Sequence, residues 1–142
     1  MANEAVIIEL IGKVPGCPIR YTCADANTIA KGTLLKFADP RTVTAHAAGA
    51  DVPFAGIAAA EKLALDGSTS IAVYTNGIFD ITAAAAGATA VGFAVCLSAT
   101  ANMIDNAAGG DLLNGSYVGQ ALEEVSNDEQ AAIRVLAGRA NY

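Results

Sequence analysis

At 142 residues the chain fits one domain and can bury a core without help from metal or disulfides. Hydrophobic residues make up 54%, largely through alanine, but charged residues reach only 15% and aromatic residues 6%; an ordinary soluble domain carries about 25% charged residues, and the deficit points to surface covered in an oligomer or by a partner. The formal net charge of −6, with the 8 basic residues scattered from Lys13 to Arg139, excludes a phosphate-backbone binder, so nucleic acid is not expected as a partner.

Residues 1–18 read as an N-terminal arm or a first strand, and residues 19–142 as a single β domain. Glu4 stands where a secretory signal would be basic and Glu9 breaks the apolar run, so no such signal is expected. Val6, Ile7, Ile8, Leu10 and Ile11 form an extended apolar run with two open readings: a strand that adds to a partner or neighbouring protomer by β-augmentation, or the ordinary first strand of the fold. Ile19–Cys23 is the next strand. ADANTIA (24–30) is a single helical turn, and the turn at Gly32 opens a strand through Leu35 and Phe37. Asp39-Pro40 turns the chain. Phe54-Ala55-Gly56-Ile57-Ala58 is an aromatic-x-Gly strand, and Asp66-Gly67 precedes a strand that carries Ile71 and Val73 inward. Asn76-Gly77 lies between two β-rich runs, IAVYT and IFDIT, and tolerates positive φ at both central positions; a tight type I′ hairpin is expected there.

The stretch 81–104 carries no charge and poses a membrane question. Its strong apolars are too few among Ala, Gly, Thr and Ser, and flanking Lys or Arg anchors are missing, so no membrane span is expected. Gly87 and Gly92 would each cost about 1 kcal/mol in a helix. Val91, Phe93, Val95 and Leu97 alternate with Gly92, Ala94, Cys96 and Ser98, which predicts a strand over 91–98 after an Ala/Gly connection at 83–90. The expected core is Phe54, Ile71, Val73, Phe79, Val91, Phe93, Val95 and Leu97.

A weak repeat appears at a shift of about 60 residues. Gly32 falls on Gly92, Leu35 on Val95, Phe37 on Leu97, Phe54–Ala58 on Tyr117–Ala121, and IAVYTNG (71–77) on AIRVLAG (132–138), giving half-repeats 24–82 and 83–142. The whole reads as an all-β (mainly β) protein: a small barrel or sandwich of about 8–10 short strands with one or two short helical turns. Gly32, Gly56, Gly77, Gly92 and Gly119 are its expected structural glycines.

Catalytic signals are thin. His46, the single histidine, has no nucleophile pattern beside it and reads as a surface or loop residue. Cys17, Cys23, Cys96 and His46 match a Cys₃His zinc count, but zinc knuckles place ligands in close pairs, and Cys96 sits on a small-residue strand face. The loop from Asp105 to Gly115 is oxygen-rich without the order of a calcium loop. Glu123, Glu124, Asp128 and Glu129 flank a turn and face solvent. No catalytic, metal or cofactor-binding residue is assigned, no cofactor is expected, and the chain does not read as an enzyme. A small-molecule or glycan-binding barrel and a small hydrolase or thiol enzyme are the alternatives; the first needs a pocket with convergent polar groups, the second a reactive thiol.

The pieces ADANTIAKGTLLKF, VPFAGIAAAEK, STSIAVYTNGIFDITAAAA, VGFAVCLSAT and GSYVGQALEEVSNDEQAAIRVL together resemble the capsid decoration (cement) proteins of tailed phages and related viruses. The resemblance covers roughly 24–136 and rests on Gly32, on Phe54-Ala55-Gly56-Ile57, on Gly77 with Phe79, and on Gly119-Gln120-Ala121-Leu122-Glu123; the first 20 residues are not matched. It implies a mainly β subunit on the exterior of the virion capsid, assembled in the host cytoplasm. It also implies a homotrimer that binds the major capsid protein and stabilises contacts between its subunits.

Overall fold

The computed structural model describes residues 3–9, 18–85 and 87–138. Leu10, Ile11 and Cys17 lie outside the described residues. Eleven strands and one short helix are present among them. Strand β1 (Val6–Glu9) is followed by a first group of five: β2 (Ile19–Thr22), β3 (Leu34–Asp39), β4 (Thr42–Ala45), β5 (Phe54–Ala58) and β6 (Ser70–Tyr74). These close a barrel in the order β2-β4-β3-β5-β6. The second group is β7 (Asn76–Thr82), β8 (Ala94–Leu97), β9 (Ile104–Asn106), helix α1 (Gly109–Asn114), β10 (Tyr117–Ala121) and β11 (Gln130–Leu136). With β1 it forms a six-stranded sheet, β1-β7-β11-β10-β8-β9.

The two groups repeat one another strand for strand. Leu35 pairs with Gly56 as Val95 pairs with Gly119. The antiparallel ladders β3–β4 and β2–β6 return as β8–β9 and β7–β11. The parallel contact that closes the first barrel, Thr22 with Thr42, returns as a single parallel bridge between Ala83 and Ile104. Outside the strands, the bridge Ile29–Lys62 returns as Thr89–Val125. Backbone conformation follows the same rule. Gly32 and Gly92 have φ of 86° and 87°, and the left-handed Arg41 and Leu65 answer to Asn102 and Asp128. The faint sequence shift is therefore a repeat of hydrogen-bonding pattern.

Glycine at 56 and 119 shows why so few identities survive. At Gly119 a Cβ would overlap the carbonyl oxygen of Arg134, and at Gly56 that of Tyr74, and both ladders shift register beside these residues. The bulge turns the alternation so that Val118 and Ala121, like Ala55 and Ala58, are buried on the inner face. Glycine is fixed by this close approach, whereas neighbouring core positions need only apolar side chains of suitable volume. Of the other expected structural glycines, Gly77 has φ 138°.

The closed first barrel and the second half, a sheet drawn into a barrel by the Ala83–Ile104 bridge alone, both have filled interiors. Leu35, Val43, Ala55, Ile71 and Val73 pack in the first, with Tyr21 and Phe37 in edge-to-face contact at 5.3 Å. Phe79, Ile81, Val95, Leu97, Ile104 and Ile133 pack in the second. Three side chains outside this scheme, Leu34, Phe54 and Ile57, project from the outer face of the first barrel and join the second barrel's core cluster, together with Ala5 just before β1. The halves thus share a core.

Several local expectations differ from the structure. Asn76-Gly77 is not a hairpin turn: β6 belongs to the first barrel and β7 to the second sheet, with Thr75 alone between them, and Asn76-Gly77 lies inside β7 opposite Leu136 and Val135. Val91 and Phe93 are not core residues. They are 60% and 64% exposed, because the strand starts at Ala94 and the preceding residues form the turn at Gly92. Phe54, Ile71, Val73, Phe79, Val95 and Leu97 are buried. Residues 24–30 form a turn and a β-bridge rather than a helical turn, and the helix falls instead at α1. Among the described residues no helix is long and apolar enough to cross a membrane.

Candidate functional site

His46, directly after β4, is fully buried rather than at the surface. Its backbone N–H donates to the Leu34 carbonyl at 2.8 Å, and its carbonyl accepts the Asn102 N–H at 3.1 Å. The Asn102 side-chain Oδ1 in turn accepts the Leu34 N–H at 2.6 Å. His46 therefore sits where the β8–β9 hairpin of the second half meets the first barrel. Neither ring nitrogen has a hydrogen-bond partner among the described residues, nor does Thr33 Oγ1. Burial, and secondarily the positive charge of Lys36, pushes the imidazole pKa down, so it is neutral at physiological pH. A general base must reach a proton donor, and this ring reaches none.

Lys62 was not signalled by the sequence. It is 3% exposed, and its ammonium donates to the carbonyls of Asp25 at 2.9 Å, Leu63 at 3.0 Å and Asn27 at 3.2 Å. It also pairs with Asp66 at 3.3 Å and Asp25 at 3.8 Å. Three carbonyls and two carboxylates around one cation are the coordination of a buried ion, supplied here by the protein itself. The Asp66 carboxyl is held below its usual range first by the Ser68 N–H and then by Lys62. The position repeats as Val125 in the second half, so the cage is a replacement for apolar packing at one loop crossing. A hint lay in the Asp residues at 25 and 66, but their convergence on Lys62 depends on the fold.

The two described thiols are not activated. Cys23 and Cys96 are buried and free. Burial, reinforced by Asp111, pushes the Cys96 thiol up to about 12, and burial also raises Cys23. Among the described residues no group of three or more His, Cys, Asp or Glu side chains could hold a metal. Asp111 in the 105–115 loop caps its own helix: its carboxylate accepts the Ala108 N–H, and it is 8% exposed. Glu123 accepts the Ala132 N–H at 2.8 Å, and Glu124, Asp128 and Glu129 face solvent.

The notable chemistry is on the outside. Val6 and Ile8 of β1 are half exposed on one face of an edge strand whose Ile7 packs inward. Leu63 and Leu65 stand out beside the Lys62 cage. Val91 and Phe93 also stand out; Phe93 lines one depression with Ala88, Thr89, Ala90 and Asn106, and Gly92 and Ala94 line another, a groove of about 190 Å³, with Leu112, Tyr117 and Gln120. Exposed apolar side chains grouped on a low-charge surface mark contact with other macromolecules.

A tandem pair of filled β-barrels with apolar side chains turned outward has the build of an interaction protein. The chain belongs to the phage cement protein family, whose match covers residues 14–137. Its fold is also similar to the crystal structure of the head fiber gp8.5 N base of bacteriophage phi29, at 10% identity and TM-score 0.53, over 87% of this chain and 97% of that one. No curated protein matches the sequence significantly. Family membership makes the chain a structural, capsid-associated component of the virion with a decorating role.

Proposed function

We propose that the protein binds the outer surface of an icosahedral head and stabilises contacts between major capsid subunits, acting as a homotrimer without catalysis. The carrying observation is the family match over residues 14–137, and among the described residues the core of each half is packed with apolar side chains, which fits a structural role. Val6 and Ile8 on β1, followed in sequence by Leu10 and Ile11, supply the shell contact in this reading. Many copies each burying a modest area give a large summed effect on a lattice.

Co-sedimentation with purified procapsids and expanded heads tests the proposal. Saturable binding at a fixed copy number per capsid is expected, and decorated heads should resist heating or osmotic shock better than bare ones. A folded protein that stays in the supernatant with both head forms contradicts it.

A further inference from the structure

The internal repeat gives every position on the first barrel's outer β3–β5 face a counterpart on the β8–β10 face of the second: Gly32 and Gly92, Thr33 and Phe93, Leu34 and Ala94, Phe54 and Tyr117, Ile57 and Gln120. The first member of each pair is covered within the chain. Thr33, Leu34, Phe54 and Ile57 are at most 2% exposed. The Ala5 N–H donates to the Gly32 carbonyl at 2.6 Å, and a side chain at Gly32 would strike the Ala5 carbonyl. Asn102 Oδ1 accepts the Leu34 N–H at 2.6 Å, and the Gly115 carbonyl accepts the Phe54 N–H at 2.9 Å.

The second member is less covered: Gly92 and Phe93 are exposed and Ala94 and Gln120 half-buried, while Tyr117 stays buried at 5%. Nothing stands within 4 Å of a side chain built at Gly92, and the Gly92 carbonyl is taken by the chain's own Gln120 amide at 3.0 Å. Phe93 is 64% exposed where Thr33 is fully buried. Between Gly92, Ala94, Tyr117, Gln120 and Leu112 lies the groove already described. The first half thus has its outer face covered within the chain, whereas the equivalent face of the second half leaves Gly92 and Phe93 exposed.

We infer that the β8–β10 face is the seat of a second copy of this chain, docked as the second half is docked on the first. The covering groups of the second half include the β8–β9 turn with Asn102, whose repeat in a neighbouring copy is the exposed β3–β4 turn at Arg41. The contact joins different surfaces on the two copies. It is heterologous, and repeated around an axis it closes a ring in which first and second barrels alternate. The inference deepens the self-association part of the proposed function and is independent of shell binding.

Light scattering and sedimentation velocity on the full chain test it, using Phe93→Asp and Ala94→Arg on the open face and Leu65→Asp as a control on an exposed residue of the first half. The wild type and control should form one closed oligomer, and each face variant should weaken self-association by about 30-fold or more, as loss of a central contact does. A photo-crosslinking residue at position 93 should capture the 39–42 turn of another copy, which keeps the test valid if a charged variant misfolds. A monomeric wild type, an oligomer indifferent to both face variants, or crosslinks confined to capsid subunits would each overturn the inference. Retained co-sedimentation by a monomeric face variant separates this contact from binding to the shell.

Discussion

A neutral imidazole with no hydrogen-bond partner in a protein interior makes folding depend on pH. In the unfolded chain His46 titrates near 6.5, and in the folded chain burial lowers that value. Between the two values the unfolded state binds more protons, so stability is complete above pH 6.5 and declines as pH falls toward the folded pKa. The melting temperature should drop from pH 7.5 to 5.5, and His46→Leu, which keeps an apolar side chain at the junction, should flatten that part of the profile. Equal slopes in the two proteins would show that other groups govern it. Lys62 makes a complementary case. Lys62→Met retains the stem but leaves three carbonyls facing an apolar end, an expected loss of about 1–3 kcal/mol in urea denaturation; an unchanged midpoint would mean that water replaces the ammonium. Neither residue announced its role in sequence. Their environments are made by segments far apart in the chain: Leu34 and Asn102 around His46, and Asp25 and Asp66 around Lys62.

Among the elements, β1 has two attachments. It pairs with β7 through Val6–Asp80 and Ile7–Phe79, and Ala5 just before it bonds to Gly32 of the first barrel. Deleting residues 1–9 removes Ala5 and Ile7 from the shared core cluster as well as that hydrogen bond, so a loss of about 2–4 kcal/mol is expected. Urea titration of the truncated protein measures it, and a midpoint equal to wild type would reduce β1 to an appendage. Legibility was uneven at this scale. Strand existence was readable wherever a turn signal bounded an apolar run, and the repeat was readable because Gly32, Gly56, Gly92 and Gly119 recur. The Asn76-Gly77 turn failed because local turn chemistry does not report which sheet each flanking strand joins. The strand at 91–98 was placed early because period two ran on through Val91 and Phe93, two exposed apolar residues that belong to a surface. The apolar alternation there comes from exposed side chains, not from core.

For the molecule as a whole, Leu34, Phe54 and Ile57 tie the first barrel to the second barrel's core, so the halves should not unfold independently. Calorimetry should give one transition with equal calorimetric and van't Hoff enthalpies; two resolved transitions would show that the junction is weaker than either barrel. The sequence conveyed the β class and the family, since both rest on glycines and short apolar runs that survive in order. It did not convey the asymmetry between the halves, which arises from packing two similar barrels face to side.

The passage from β6 to β7 through Thr75 has a mechanical consequence. Thr75 is itself held, its carbonyl accepting the Ala137 N–H at 2.9 Å, so the chain crosses between the halves without slack. A pull applied to one barrel is carried into the central strand β7 as tension along the backbone, where the β1 and β11 ladders on either side resist it in shear. A virion component loaded along this path would then behave as a stiff strut rather than two beads on a string.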